Sequence, residues 1–287
     1  MKLILSRKGF DSAYGGCASP ILDGDLLCPL PIPDARAATT YAEVSFNGAS
    51  VGPIVRSLTR GRIASRDRAH LDPDLRRDAI ARTPGWRPIF GQAGAAQSHL
   101  ARHSVGPGDL FLFFGWFRRA ERRGGELRYV HDAPDLHVIF GWLQVAQVYR
   151  VTDGLARELR WAKKHPHLFV PGRYANNTIY IARERLTLAG SRLPGAGVFA
   201  RVTDNLILTQ LTPYLGRSTW RLPRWFHPRR RAPLSRHGRA DRWRLRGDSV
   251  QLRSVPIGQE FVLDLDLYPE VLAWLGEIFR DVTRGRG

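Results

Sequence analysis

Polar and charged side chains suited to chemistry crowd the first twenty positions of this 287-residue chain, where Ser6-Arg7-Lys8-Gly9-Phe10-Asp11-Ser12-Ala13-Tyr14-Gly15-Gly16 follows the apolar run Lys2 to Leu5. A short strand that opens into a loop with glycines is a rigid way to present reactive groups, because glycine lets backbone approach a ligand closely. Asp11 is the carboxylate of that loop. A carboxylate near C1′ of a nucleotide stabilises the positive charge that builds on the sugar as a base departs, and it can align water for attack. Ser6, Arg7, Lys8 and Ser12 are then candidates for flanking phosphates, and Phe10 and Tyr14 for stacking on an extruded base. Asp11 as a simple turn cap is the competing reading.

A second cluster is His70, Asp72 and Asp74, and a third is Gln92, Gln97 and His99. One histidine with two carboxylates can take part in a glycosidic pocket or hold a divalent ion for phosphodiester hydrolysis. Equally, aspartates on either side of Pro73 suit the start of a helix. Gln97 and His99, two apart on a helix, diverge in direction, so at most one points into a given site. His165-Pro166-His167 and Asn176-Asn177 precede a strand, and Asn177 is a candidate for base-edge contact. No P-loop, dinucleotide glycine fingerprint or deaminase Cys pair occurs, so the leading expectation carries no cofactor and no metal.

Charge names the partner class. Lys and Arg outnumber Asp and Glu by 44 to 26, giving +18. A GC-rich genome explains arginine in place of lysine but not the excess itself, which costs self-repulsion unless a polyanion is bound. The segment 217–246 holds eleven arginines against one acid, Asp241. Trp220, Trp225, Phe226 and Trp243 are interleaved with these cations, which include Arg229, Arg230 and Arg231. Arginine on phosphate and tryptophan on unpaired bases together suit DNA held and locally opened. A basic insert whose tryptophans fold back on the core is the alternative. Cys17 and Cys28 read as free thiols, and the absence of a long apolar run points to a cytoplasmic protein without membrane contact; no obligate protein partner is evident from the sequence.

Elements that must position these groups follow from apolar patterning. Strands are expected at 2–6, within 110–149, at 178–182 and at 261–265, with a further one at Tyr41–Phe46. Helices are expected from Gly52, from Asp72 through Ile80, from Ala95 and over Glu270–Arg280. The sum is an α/β protein with a mixed β-sheet core and flanking helices, a single compact domain over 1–287 that carries a basic Arg/Trp-rich segment.

Ser6 to Asp11, Ser19-Pro20-Ile21, Leu30-Pro31-Ile32-Pro33, His70-Leu71-Asp72-Pro73-Asp74, Phe90-Gly91-Gln92, Gln97 with His99, and Gly108 to Gly115 together resemble the nucleotide modification associated domain 3 family, found alongside phage DNA hypermodification and defence genes. The resemblance covers most of the chain and is weakest at 217–246. It implies work on modified bases in DNA, and similarity to glycosylases that excise bulky hydroxymethylcytosine derivatives. The expectation is a DNA glycosylase for hypermodified phage bases, with Asp11, His70, Asp72 and Asp74 as candidate catalytic residues. A non-catalytic modified-base reader and a metal-dependent nuclease are the alternatives.

Overall fold

Two long antiparallel strands, Leu110–Arg123 and Leu136–Arg150, form the spine of the computed structural model, which describes residues 1–188 and 191–284. The first begins Leu-Phe-Leu-Phe-Phe-Gly and is buried on both faces there, as a strand covered by layers on either side must be. Lys2–Arg7 lies parallel to it, with Leu3 opposite Leu110 and Arg7 opposite Phe114. Glu260–Asp264 closes that side of the sheet antiparallel to Lys2–Arg7. On the other side Leu136–Arg150 is followed by Thr178–Ala182 and then Ile89–Gln92. Residues distant in sequence therefore become neighbours along one sheet, and Ser6 faces Glu260 across the strand pair.

The helix Val271–Arg284 packs Trp274, Leu275, Ile278 and Phe279 into the main core. Helices Gly52–Leu58 and Gly94–Arg102 cover other surfaces. A smaller core beneath the N-terminal loop gathers Phe10, Cys17, Cys28, Leu30, Tyr41 and Val55. Cys17 and Cys28 are buried there and unbridged. Among the described residues no helix is long and apolar enough to cross a membrane.

Three expected elements differ. Tyr41–Phe46 is not a strand: only Thr39–Thr40 and Ser45–Phe46 are extended, around a turn in which Tyr41 is pulled inward and its hydroxyl donates to Pro31 O at 2.8 Å. No helix forms from Asp72 to Ile80. Asp74 instead exchanges both backbone hydrogen bonds with Ile89, at 2.9 and 3.0 Å, so this segment satisfies its main chain against a strand rather than internally. The basic segment is no loose insert either. Thr219–Pro223, Ser249–Arg253 and Trp243–Arg246 form a three-stranded sheet.

That small sheet also corrects the role expected of the tryptophans. Trp220 is fully buried and its indole N–H donates to His137 Nδ1 at 3.0 Å. Trp243 is buried and donates to His237 O at 2.8 Å, while Trp225 stacks on Phe226 with ring centroids 4.1 Å apart. Trp220 and Trp243 offer no free face to an unpaired base, because burying an indole is worth more than leaving it in water, and the half-buried Trp225 already stacks on a protein ring. Outward-facing positions of the same strands carry the charge: Arg221, Arg244 and Arg246 are exposed, as are Arg229, Arg230, Arg236 and Arg239 between them.

Candidate functional site

The C-terminal end of Lys2–Arg7 opens into a cleft of about 840 Å³. Arg7, Lys8, Asp11 and Tyr14 line one part, and His70, Asp72, Gln92, His167, Arg173 and Tyr174 line another. Clefts of about 930 and 970 Å³ lie elsewhere, but neither gathers such a set of titratable groups.

Local chain geometry explains the first wall. The backbone of Lys8 donates to Phe114 O at 2.8 Å, and its carbonyl sits only 2.7 Å from where a Cβ on Gly115 would stand. Gly115 thus permits the turn that lifts the loop off the sheet. Gly9 follows at φ +82°, where the chain reverses and Phe10 N–H meets Leu30 O at 3.1 Å. The Asp11 Oδ1 accepts the backbone N–H groups of Ala13 and Tyr14, at 2.8 and 2.6 Å. These bonds orient the carboxylate at the cleft wall.

Glu260 lies under this wall. Its Oε1 accepts from Ser6 Oγ at 3.0 Å, Lys8 Nζ at 2.9 Å and Gln92 Nε2 at 2.6 Å, with the carboxylate wholly buried. Lys8 also lies over the ring of Phe90, 4.7 Å from its centroid. The lysine is therefore a fixed charge and not a mobile phosphate clamp.

The second wall is built from four separate segments. The strand Arg68–His70 pairs with Ile32–Pro33, which carries Asp34 to His70. His70 Nδ1 donates to Asp34 Oδ2 at 3.0 Å, and Arg173 grips the same carboxylate with two bonds of 2.8 and 2.9 Å. Burial alone would raise the pKa of Asp34, but the bonds from His70 and Arg173 hold it well below the usual carboxylate range. From Ile89–Gln92, the Gly91 N–H donates to Asp72 Oδ1 at 2.9 Å, and His165 Nε2 donates to the same oxygen at 3.1 Å. Burial pushes Asp72 up, yet the bond from His165 and the nearby His165, His167 and His70 rings bring it down to about 2.

His167 comes from the short helix Pro166–Phe169, and Asn177 fixes its ring. The Asn177 amide N–H donates to His167 O at 2.8 Å, which turns Oδ1 toward His167 Nδ1 at 2.6 Å. Desolvation is the main cause of a His167 pKa lowered to about 4, so the ring is neutral at neutral pH. Tyr174 stacks on its other side, with centroids 4.9 Å apart. His70, Asp72, His165 and His167 have side chains only 12, 4, 1 and 6% exposed.

A family model for nucleotide modification associated domain 3 matches residues 2–264, a span that includes every residue of both walls and the basic small sheet. The chain belongs to that family. No curated protein and no solved structure matches it significantly.

In this nucleotide modification associated domain 3 protein the residues expected from sequence are divided among several places. Asp11, Tyr14, Arg7, Lys8, Gln92, His70 and Asp72 meet at the cleft. Asp74 does not: it turns away and forms a buried two-bond ion pair with Arg82, at 2.6 and 2.7 Å, with Trp86 Nε1 at 3.3 Å. Phe10 is 1% exposed in the smaller core, edge-on to Tyr41, and cannot stack on a base. Ser6 is buried against Glu260, while exposed Ser12 receives a bond from Arg217 at 3.0 Å. Gln97 accepts from Tyr180 Oη at 2.9 Å and His99 pairs with Ser235 Oγ at 2.9 Å, both buried away from the cleft. Asn177 contacts His167 in place of a base edge. Arg231 is structural, lying over Tyr268 at 4.0 Å and bonded to Glu270 at 3.1 Å.

Sequence reasoning missed Asp34, His167, Arg173 and Glu260. The pair His165-Pro166-His167 was the available signal, since two histidines flanking a proline at a helix start project from a fixed backbone. Nothing local marks Asp34 or Glu260, which gain meaning only from strand pairing.

Proposed function

We propose that the chain is a DNA glycosylase that excises hypermodified bases, of the glucosylated hydroxymethylcytosine type, from phage DNA and leaves abasic sites as an anti-phage defence. The observation that carries this reading is the cleft itself. At about 840 Å³ it has room for a bulky modified base with its sugar, and Asp11 lines it beside the cations Arg7 and Lys8. The nucleotide leaves the duplex to enter, at an unstacking cost of a few kcal/mol. Asp11 stabilises the oxocarbenium-like sugar and orients the attacking water, and the exposed arginines of the small sheet hold flanking phosphates.

The test is incubation of the purified chain with glucosylated hydroxymethylcytosine DNA and with unmodified DNA, followed by alkaline gel and analysis of released base. Free modified base with alkali-sensitive sites supports the reading. Strand breaks without alkali would make the chain a nuclease or lyase, and unchanged DNA a reader. Asp11→Asn should reduce base release by about 10²-fold or more with DNA affinity retained. Near wild-type release by that variant removes Asp11 from the mechanism.

A further inference from the structure

Three atoms in the second wall converge without a hydrogen between them. Asp34 is a carboxylate and can only accept, so its contact with His70 Nδ1 places a ring hydrogen there and leaves Nε2 as the ring nitrogen whose lone pair a cation can take. The Asn177 amide is oriented by its bond to His167 O, so its Oδ1 also accepts from Nδ1, and His167 likewise presents a lone pair at Nε2. The third atom is Asp72 Oδ2. Among the described residues the two donors to that carboxylate, Gly91 N–H and His165 Nε2, are spent on Oδ1. Asp72 Oδ2 stands 4.0 Å from His70 Nε2 and 3.7 Å from His167 Nε2, beyond hydrogen-bond distance.

Three electron pairs held together in a largely buried place repel one another unless a cation lies between them. We propose that His70 Nε2, His167 Nε2 and Asp72 Oδ2 bind one divalent first-row transition cation, with the remaining coordination positions open to the cleft. The three atoms lie within 4.8 Å of one another. Metal–nitrogen and metal–oxygen bonds of about 2.0–2.2 Å place neighbouring ligand atoms roughly 3–3.4 Å apart, so the imidazoles must close on the carboxylate oxygen by up to about 1 Å, and on one another by up to about 1.8 Å, for the site to form. Two imidazoles and one carboxylate favour zinc, iron, cobalt or manganese over magnesium or calcium, which prefer oxygen throughout.

The surroundings match what such a site requires. Asp34 and Asn177 each receive the outer ring hydrogen of one histidine ligand, fixing its tautomer and direction, and Arg173 holds Asp34 in turn. Three protein ligands and an open face are the arrangement of a catalytic rather than a structural metal, with water or a substrate oxygen completing the shell. The inference goes beyond the glycosidic reading and does not depend on Asp11.

The experiment is to strip the full chain with chelator, dialyse it, and titrate with Co²⁺ while recording visible absorption, with Zn²⁺ uptake read in parallel by elemental analysis. One equivalent per chain with ligand-field bands is expected. Asn177→Ala leaves the three ligands in place but frees the His167 ring, and should weaken Co²⁺ binding by about 10–100-fold. His70→Ala and Asp72→Asn should abolish the bands, with folding of each checked by circular dichroism. Asp11→Asn, in the same cleft but outside the three ligands, should titrate as wild type whether or not it releases base. No stoichiometric uptake by the wild-type chain, or undiminished uptake by folded His70→Ala, overturns the assignment.

Discussion

The ring of His167 occupies the space that a side chain on Gly91 would fill: a Cβ there would stand 2.3 Å from His167 Cδ2. One backbone position on the Ile89–Gln92 strand therefore sets where a cleft histidine can lie, and the same residue's N–H holds Asp72.

Gly91→Ala should displace His167 and disturb Asp72 together. Overpacking of this kind costs about 1–3 kcal/mol in stability. Loss of Co²⁺ uptake is the specific outcome. Gly197→Ala serves as comparison, because its Cβ would meet Trp142 of the main core, at 2.6 Å, and not a cleft histidine. It should lower thermal stability while leaving uptake intact. Equal uptake by folded Gly91→Ala would show that His167 is not held by this contact.

Asp74→Asn should damage stability rather than chemistry. Asp74 and Arg82 have side chains 6 and 8% exposed, and removing one charge leaves the other buried without its partner. The expected cost is about 3–5 kcal/mol by urea denaturation. Base release measured well below the melting midpoint should stay near wild type, and a folded but inactive variant would return Asp74 to the site.

Replacing Arg229 and Arg230 together by alanine should weaken DNA binding evenly across sequences and lower the slope of log affinity against log salt by about 1–2, since each phosphate contact releases counterions. Stability should hold within about 0.5 kcal/mol, as both side chains are exposed. Arg231→Ala is different. It loses bonds to Leu267 O and Glu270, at 3.1 Å each, and should lower the melting temperature. A salt slope unmoved by the double variant would remove this face from the DNA interface.

Acid should destabilise the fold partly through His237. Burial lowers its pKa from 6.5 to about 4, its Nδ1 donates to Ser235 O at 2.9 Å, and its Nε2 accepts from Val255 N–H at 3.2 Å. The unfolded chain binds the proton more readily, so stability present above pH 6.5 is lost as pH falls from 6.5 toward 4. At about 1.4 kcal/mol per unit the loss is on the order of 3 kcal/mol. Melting curves from pH 7 to pH 4 should show this, and His237→Gln should begin lower but fall less steeply. A variant with the wild-type slope would assign the acid sensitivity to other groups.

Strands at 2–6, 110–117, 136–149 and 178–182 were legible because apolar and β-branched runs bury themselves wherever they fall in the chain. The helix of residues 271–284 was legible from its apolar spacing behind Pro269. The 72–80 segment was misread because capping residues state a local preference, and pairing with Ile89 overrode it. Phe10, Trp220 and Trp243 were misread for a related reason: composition shows that aromatic rings are present, not whether they face the core.

The amino-acid sequence by itself determined the sheet core, the basic character, the family and the polar loop around Asp11. Its apolar runs and charge excess are properties of consecutive residues. Only the tertiary structure decided that His70, Asp72 and His167 share one place with Asp34 and Asn177 behind them, while Asp74 leaves it. Contacts between residues 34, 70, 72, 91, 167 and 177 depend on which strands pair and in what register, and a one-residue slip of the Arg68–His70 strand would turn His70 to the opposite face.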